Sequence, residues 1–201
     1  MIDPHTQTKV IGITGGIGSG KSLISELFHS LSYPVYNSDE EAKNLYKDAE
    51  IKAQVIDLLG PKSYEGATIN RTYIGMKVFS DTSLLEALNA IIHPAVGAHF
   101  HNWQISQNSA YVLKEAAILV ESGAYKSCDY IITVSAPEKV RLQRVISRDG
   151  ATEEEVKARM DKQLSDEERD AYATWIILND GSRSVIKQVM DIHELLQAKL
   201  Y

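Results

Sequence analysis

The sequence predicts an α/β fold: a five-stranded parallel sheet with helices on both faces, extended by a helical insertion and a second helical segment. Three observations predict it. The apolar run Lys9-Val10-Ile11-Gly12-Ile13-Thr14 leads through a glycine-rich turn, Gly15 to Gly20, into helical periodicity over Ser22–Ser32. Short apolar runs then alternate with helical stretches, the pattern of a parallel sheet covered on both sides. Two segments, 40–108 and 137–170, are longer than simple crossovers require.

The strand candidates are Val10–Thr14, Tyr33–Asn37, Ala110–Leu113, Tyr130–Val134 and Trp175–Leu178, each short and apolar as a buried parallel strand is. In the first helix, Leu23, Ile24, Leu27, Phe28 and Leu31 fall on one face. The insertion 40–108 reads as helices over Ile51–Leu59, Tyr73–Phe79 and Ser83–Ile92, with a break at Gly60-Pro61 and His93-Pro94 ending the last one. The segment 137–170 reads as two helices broken near Gly150. Thr152 is the expected N-cap of the second, with Glu155 completing a capping box. Arg159 and Gln163 are expected on that second helix. The whole chain is expected to be one domain, its core formed by 9–39, 109–136 and 171–201.

With 201 residues, 44% of them hydrophobic, the chain has material for a real core. Its net charge of -6 argues against broad binding to nucleic acid or anionic membranes, so any site for phosphate must be local. The single cysteine, Cys128, excludes an intrachain disulfide and a Cys-rich metal site. No apolar run reaches the length of a membrane span. Met1-Ile2-Asp3-Pro4-His5 lacks the basic and apolar regions of a signal peptide. A cytoplasmic location is therefore expected, in which the sequon Asn70-Arg71-Thr72 is irrelevant.

The chemistry starts at Gly15-Gly16-Ile17-Gly18-Ser19-Gly20-Lys21-Ser22, which fits the phosphate-binding pattern G-x-x-x-x-G-K-[ST]. Backbone N–H groups at a helix N-terminus cradle anionic oxygens, and the helix dipole adds partial positive charge. In this pattern Lys21 reaches the β- and γ-phosphates and Ser22 holds Mg²⁺. Phosphoryl transfer otherwise needs a carboxylate for the acceptor hydroxyl and cations for the transferring charge. Asp39, just past the second strand, is the candidate base; the competing reading makes Ser38 or Asp39 the cap of a helix starting at Glu40. Arg141, Arg144 and Arg148 form a basic stripe at helical spacing in a stretch, 139–147, without acidic residues. The competing reading is a solvated face paired with nearby glutamates. Glu115 follows the third strand and is placed to hold Mg²⁺ through a water molecule. Glu121 has a structural reading, and His93, His99 and His101 lack the pattern of a metal site. Asp57-Leu58-Leu59-Gly60 matches the D-x-x-G of GTPases but follows no strand, and no guanine motif or ABC signature occurs. These absences favour a small-molecule kinase.

With these residues in place, the chain resembles the dephospho-coenzyme A kinase family nearly end to end. Ile11 through Ser22 is similar to the family's loop. Asn37-Ser38-Asp39 corresponds to its Asp-Ala-Asp, with Asp39 on the proposed base and Asn37 replacing the first aspartate. His93-Pro94, Leu119-Val120-Glu121, Arg144 with Arg148-Asp149-Gly150, Arg159 with Gln163, and Asn179-Asp180-Gly181 also match. Ala117 and Thr174 depart, standing where proline and aspartate are usual. The resemblance implies a P-loop kinase fold and transfer of the ATP γ-phosphate to the 3′-hydroxyl of dephospho-CoA, the final step of coenzyme A biosynthesis. It implies Asp39, Lys21, Arg144 and Arg148 as catalytic residues. It implies ATP binding by Gly15, Gly16, Ile17, Gly18, Ser19, Gly20, Lys21, Ser22, Arg144 and Asn179, with Mg²⁺ on Ser22. Asp39, His93, Glu115 and Arg159 are the expected acceptor contacts, 40–108 the acceptor-binding insertion and 137–170 the lid. The expected partners are ATP and dephospho-CoA, with no nucleic acid and no membrane, in a monomer or small homo-oligomer. Two alternatives stand beside this: a kinase for another small acceptor (a nucleoside monophosphate, a nucleoside or shikimate), and a non-catalytic ATP-binding regulator.

Overall fold

A computed structural model describes residues 8–200, so Met1–His5, read above for its lack of a leader pattern, lies outside the described residues. The chain divides into two compact units, one running to Asn37 and resuming at Gln107, the other Ser38–Ser106.

The first unit is a five-stranded sheet of β1 (Lys9–Thr14), β2 (Val35–Asn37), β5 (Tyr111–Glu115), β6 (Tyr130–Ser135) and β7 (Trp175–Leu178), ordered β2-β5-β1-β6-β7. Every pairing is parallel, as the alternation of strand and helix predicts. The apolar strands are central because both their faces are covered. Ile11, Ile13, Tyr111, Leu113, Ile132, Val134 and Ile177 point to one face, where α1 (Lys21–Ser30) and α9 (Val185–Leu200) bury Ile24, Phe28, Val189, Ile192 and Leu196 against them. The other face carries Ile131, packed with Ala116, Leu119 and Cys128. A Cβ at Gly12 would stand 2.6 Å from Leu119 Cδ2, so glycine there lets the 116–128 segment close on the sheet. β7 is an edge strand, and its Ile176 is exposed, unlike a fully covered strand.

Three elements follow β6: α6 (Glu138–Asp149), α7 (Glu153–Met160) and α8 (Asp166–Asp170). Gly150 stops α6 with φ 64°, a left-handed conformation that glycine takes without a Cβ penalty. Thr152 and Glu155 form the expected capping box. α8, absent from the sequence reading, opens with a second capping box, Ser165 with Glu168. Arg159 lies on α7, but the helix ends at Met160, so Gln163 sits in the turn beyond it, not on the helix as expected.

The second unit holds α2 (Ser38–Leu45), α3 (Ala49–Leu59), α4 (Arg71–Phe79) and α5 (Thr82–Ile105) around Ile51, Val55, Leu59, Ile74, Leu88 and Ile92. Asp48, Asn70 and Asp81 cap α3, α4 and α5 by accepting backbone N–H bonds. A two-stranded antiparallel hairpin, β3 (Tyr64–Glu65) and β4 (Thr68–Ile69), which the sequence reading missed, links α3 to α4. His93-Pro94 does not end a helix: α5 continues through Pro94 to Ile105. Proline removes one backbone bond and crowds the preceding turn, a cost of about 3 kcal/mol. The turns on both sides remain bonded, and Ala95 and Val96 pack on the same core as Leu88 and Ile92, which offsets it. No helix among the described residues is long and apolar enough to cross a membrane.

Candidate active site

The C-terminal edge of the sheet carries the phosphate loop and Glu115, which is where open α/β sheets bind ligands. β1 ends at Thr14, the loop Gly15–Gly20 follows, and α1 begins at Lys21. The loop turns tightly because Gly18 and Gly20 take φ of 80° and 97°, closed to most side chains. Gly16 needs the absence of a side chain for a different reason: a Cβ there would collide with the Arg141 guanidinium. Ser19 N–H donates to Gly16 O at 3.1 Å, closing the turn. Among the described residues, the N–H groups of Gly18 and Gly20 have no acceptor. Such orphaned donors at a helix N-terminus suit phosphate oxygens.

Lys21 Nζ donates to Gly15 O at 2.8 Å, which folds the ammonium back over the loop. Ser22 Oγ donates to Glu115 Oε1 at 3.2 Å. Glu115 is the last residue of β5 and is buried, and its register partners are Ile13 on β1 and Asn37 on β2. The sheet therefore brings a hydroxyl and a carboxylate together directly at the loop, where the sequence pointed to Glu115 and Ser22 separately. These two oxygen donors fit a hard divalent cation such as Mg²⁺, which takes one or two protein oxygens alongside phosphates.

The arginine stripe separates into three different environments. Arg141 is buried: Nε donates to Ala136 O at 3.0 Å and Nη2 to Asp166 Oδ2 at 3.1 Å. It is neither a solvated face nor paired with glutamate. Arg144 Nη2 donates to Asn179 O at 2.9 Å, and its Nη1 makes longer contacts of 3.4 Å with the Gly18 and Ser19 carbonyls. Asn179, just after β7, is buried and its Nδ2 donates to Ser19 O at 2.8 Å. Arg144 and Asn179 thus hold the loop from the side of β7. Arg148, one turn further, is exposed and pairs with its neighbour Asp149 at 2.7 Å. That pair and Arg159, 3.2 Å from the same carboxylate, hold Asp149 below the usual carboxylate range.

Gln163 Oε1 accepts the Ile17 N–H at 2.7 Å, so the turn after α7 reaches the phosphate loop itself. Behind it, Leu164 N–H donates to Glu121, Arg169 Nη2 to Leu164 O, and Arg169 Nη1 to Asp166. Glu121 therefore anchors this turn, consistent with its structural reading. Asp166, which joins Arg141 to Arg169, was missed by the sequence reading. The Ser165-x-x-Glu168 capping box was the available signal, since it places Asp166 in a helical first turn.

In the second unit, α2 begins at Ser38, so Asp39 is a first-turn residue and not the cap of a helix starting at Glu40. Asp39 follows Asn37, the last residue of β2, by two positions. His93 lies on α5, where burial lowers its pKa and leaves the imidazole neutral at pH 7. Among the described residues no cluster of three or more His, Cys, Asp and Glu is placed to hold a metal ion.

A sequence model of the family described as dephospho-CoA kinase matches residues 9–184. The chain belongs to the dephospho-CoA kinase family. It is 38% identical to the dephospho-CoA kinase of Bacteroides fragilis strain YCH46 over 95% of this chain and 94% of that one. Among solved structures it is similar to a Thermus thermophilus protein with a TM-score of 0.85 and 32% identity, covering 97% of this chain and 99% of that one. It is also similar to the dephospho-CoA kinase of Campylobacter jejuni with a TM-score of 0.69 and 25% identity, covering 94% and 98%. The family is one of kinases.

Proposed function

We propose that the chain transfers the γ-phosphate of ATP to the 3′-hydroxyl of dephospho-CoA, giving coenzyme A. The observation that carries this is the Ser22–Glu115 pair at the mouth of a complete phosphate loop, in a chain of this family. The loop N–H groups and Lys21 bind the β- and γ-phosphates, Lys21 exchanging Gly15 O for phosphate oxygen. Ser22 and Glu115 would hold Mg²⁺, which would neutralise charge on the phosphate oxygens. Asp39 accepts the proton of the 3′-hydroxyl as its oxygen bonds to the γ-phosphorus and the bond to the β-phosphate oxygen breaks. Arg144 steadies the loop and meets the phosphates beside it. Arg148 adds charge to the transferring group when α6 to α8 act as a lid that excludes water. His93 and Arg159 contact the acceptor, and the cytoplasm supplies ATP.

ADP release measured with and without dephospho-CoA tests this. Release that depends on dephospho-CoA, with coenzyme A as product, is expected. Release stimulated instead by a nucleoside, a nucleoside monophosphate or shikimate would reassign the acceptor. ATP binding with no acceptor-dependent release would make the chain a nucleotide-binding regulator.

A further inference from the structure

The phosphate loop has glycine on both sides of Ile17, at Gly16 and Gly18. A peptide unit between such residues turns over at little steric cost, and turning it over moves the N–H groups that an anion needs. In this chain the peptide joining Gly16 to Ile17 is held at both ends. Its carbonyl, Gly16 O, accepts from Ser19 N–H at 3.1 Å. Its N–H, that of Ile17, donates to Gln163 Oε1 at 2.7 Å. The first bond is made within the loop. The second comes from a residue 146 positions away and is the shorter of the two.

Gln163 is itself held. Its N–H donates to Met160 O at 2.9 Å, and the next N–H, that of Leu164, donates to Glu121 Oε1 at 3.2 Å. Arg169, 1% exposed, donates to Leu164 O at 2.6 Å and to Asp166 Oδ1 at 2.9 Å. Asp166 also accepts from Arg141, whose guanidinium stands where a Cβ on Gly16 would fall. One stretch of chain, 163–169, therefore backs the same loop peptide twice: Gln163 bonds its N–H, and Asp166 holds the arginine that packs on Gly16.

The next donor along the loop, Gly18 N–H, has no acceptor among the described residues. With the preceding peptide fixed, that N–H is fixed as well. We propose that Gln163 is a positioning residue for the nucleotide. It acts through Ile17 N–H to keep the Gly16–Ile17 peptide from turning over, so that Gly18 N–H is set for a phosphate oxygen before one arrives. A neutral amide suits this place, because its oxygen accepts a hydrogen bond without bringing a negative charge beside the phosphates. The proposal rests on ATP binding at the loop, as given under Proposed function, and is independent of the acceptor.

The test uses the full chain, wild type beside Gln163→Met, which has similar length and no acceptor oxygen, and Gln163→Glu, which keeps the oxygen. Amide hydrogen exchange followed by NMR reads Ile17 N–H directly in the nucleotide-free protein, with melting temperature as the folding control. Calorimetric titration with Mg²⁺ and a non-hydrolysable ATP analogue reads the consequence. In Gln163→Met, exchange at Ile17 is expected to be about fivefold faster or more, the worth of one hydrogen bond, with Ile11 and Ile13 of β1 unchanged. Affinity for the analogue falls about fivefold in the same variant, while Tm falls by no more than about 4 °C. Gln163→Glu keeps slow exchange at Ile17. Unchanged affinity in folded Gln163→Met overturns the proposal, and so does tighter binding, which would make the glutamine a competitor of the nucleotide. Exchange at Ile17 as fast in Gln163→Glu as in Gln163→Met overturns it too. A wild-type protein that binds no analogue overturns the ATP reading, and this proposal with it.

Discussion

Arg141, Arg144 and Arg148 share one helix, and exchanging the first and last for glutamine separates support of the loop from chemistry. The Arg141 side chain is 10% exposed and its partner Asp166 is 33% exposed. Arg141→Gln strips the buried Ala136 carbonyl of its Nε donor and takes one of two arginines from Asp166. A hydrogen bond to a charged group is worth about 1.5–3 kcal/mol, and removing one partner of a buried pair costs more than the pair contributed. Asp166 keeps Arg169 and some water, so about 3 kcal/mol is the expected loss. For a chain of this length that is a fall in Tm of about 6–12 °C. Arg148 is the opposite case: its side chain is 66% exposed and paired with an adjacent aspartate, an arrangement that contributes little to stability. Arg148→Gln should leave Tm within about 2 °C but lower kcat by about 10²-fold or more if its charge meets the transferring phosphoryl group. Differential scanning fluorimetry and the ADP-release assay on the same preparations read both quantities. An Arg148→Gln protein with lowered Tm and normal kcat would refute the reasoning, as would an Arg141→Gln protein that melts like wild type.

Three further outcomes are expected. Asp39→Asn should keep ATP affinity and lose at least ~10²-fold in kcat; near-normal turnover would reduce Asp39 to a favourable charge in the first turn of α2. Burial lowers the His93 pKa below 6.5, so as pH falls through that value the unfolded chain takes the proton before the folded one. Stability then drops with falling pH, and His93→Gln should show a shallower fall in Tm between pH 6.5 and about 5. Burial raises the Cys128 thiol from 9.0 to about 11, so at pH 8 its reaction with a disulfide reagent should be about 100-fold slower in the native protein than after unfolding. Equal rates in the two states would show that the thiol is not shielded as the packing against Gly12 and Leu119 implies.

What was readable in the sequence shares a physical character: it is local. The phosphate loop needs glycine where φ is positive and a lysine at the helix start, all within eight residues, and Gly18, Gly20 and Lys21 stand accordingly. The Thr152–Glu155 capping box and the Gly150 stop are likewise decided within one turn of chain. The sheet followed from its apolar runs, because a strand covered on both faces leaves little room for polar residues. Pro94 misled for the complementary reason. A local rule predicted an end to the helix, and burial of residues on both sides of the proline overrode it. The hairpin of β3 and β4, only two residues in each strand, is too short to show any alternation.

The fate of the arginine stripe was not readable, although its spacing was. Periodicity puts Arg141, Arg144 and Arg148 on one side of α6 but says nothing about what that side meets. Arg141 is settled by Asp166, twenty-five residues away, and by the strand-end carbonyl of Ala136. Arg144 is settled by Asn179 across the end of β7, and Arg148 meets only Asp149 among the described residues. The same holds for Gln163, whose bond to Ile17 spans 146 positions and links the α6–α8 segment to the phosphate loop. The turn after α7 and the phosphate loop are therefore tied by one hydrogen bond, formed between two stretches that the sequence presents as unrelated.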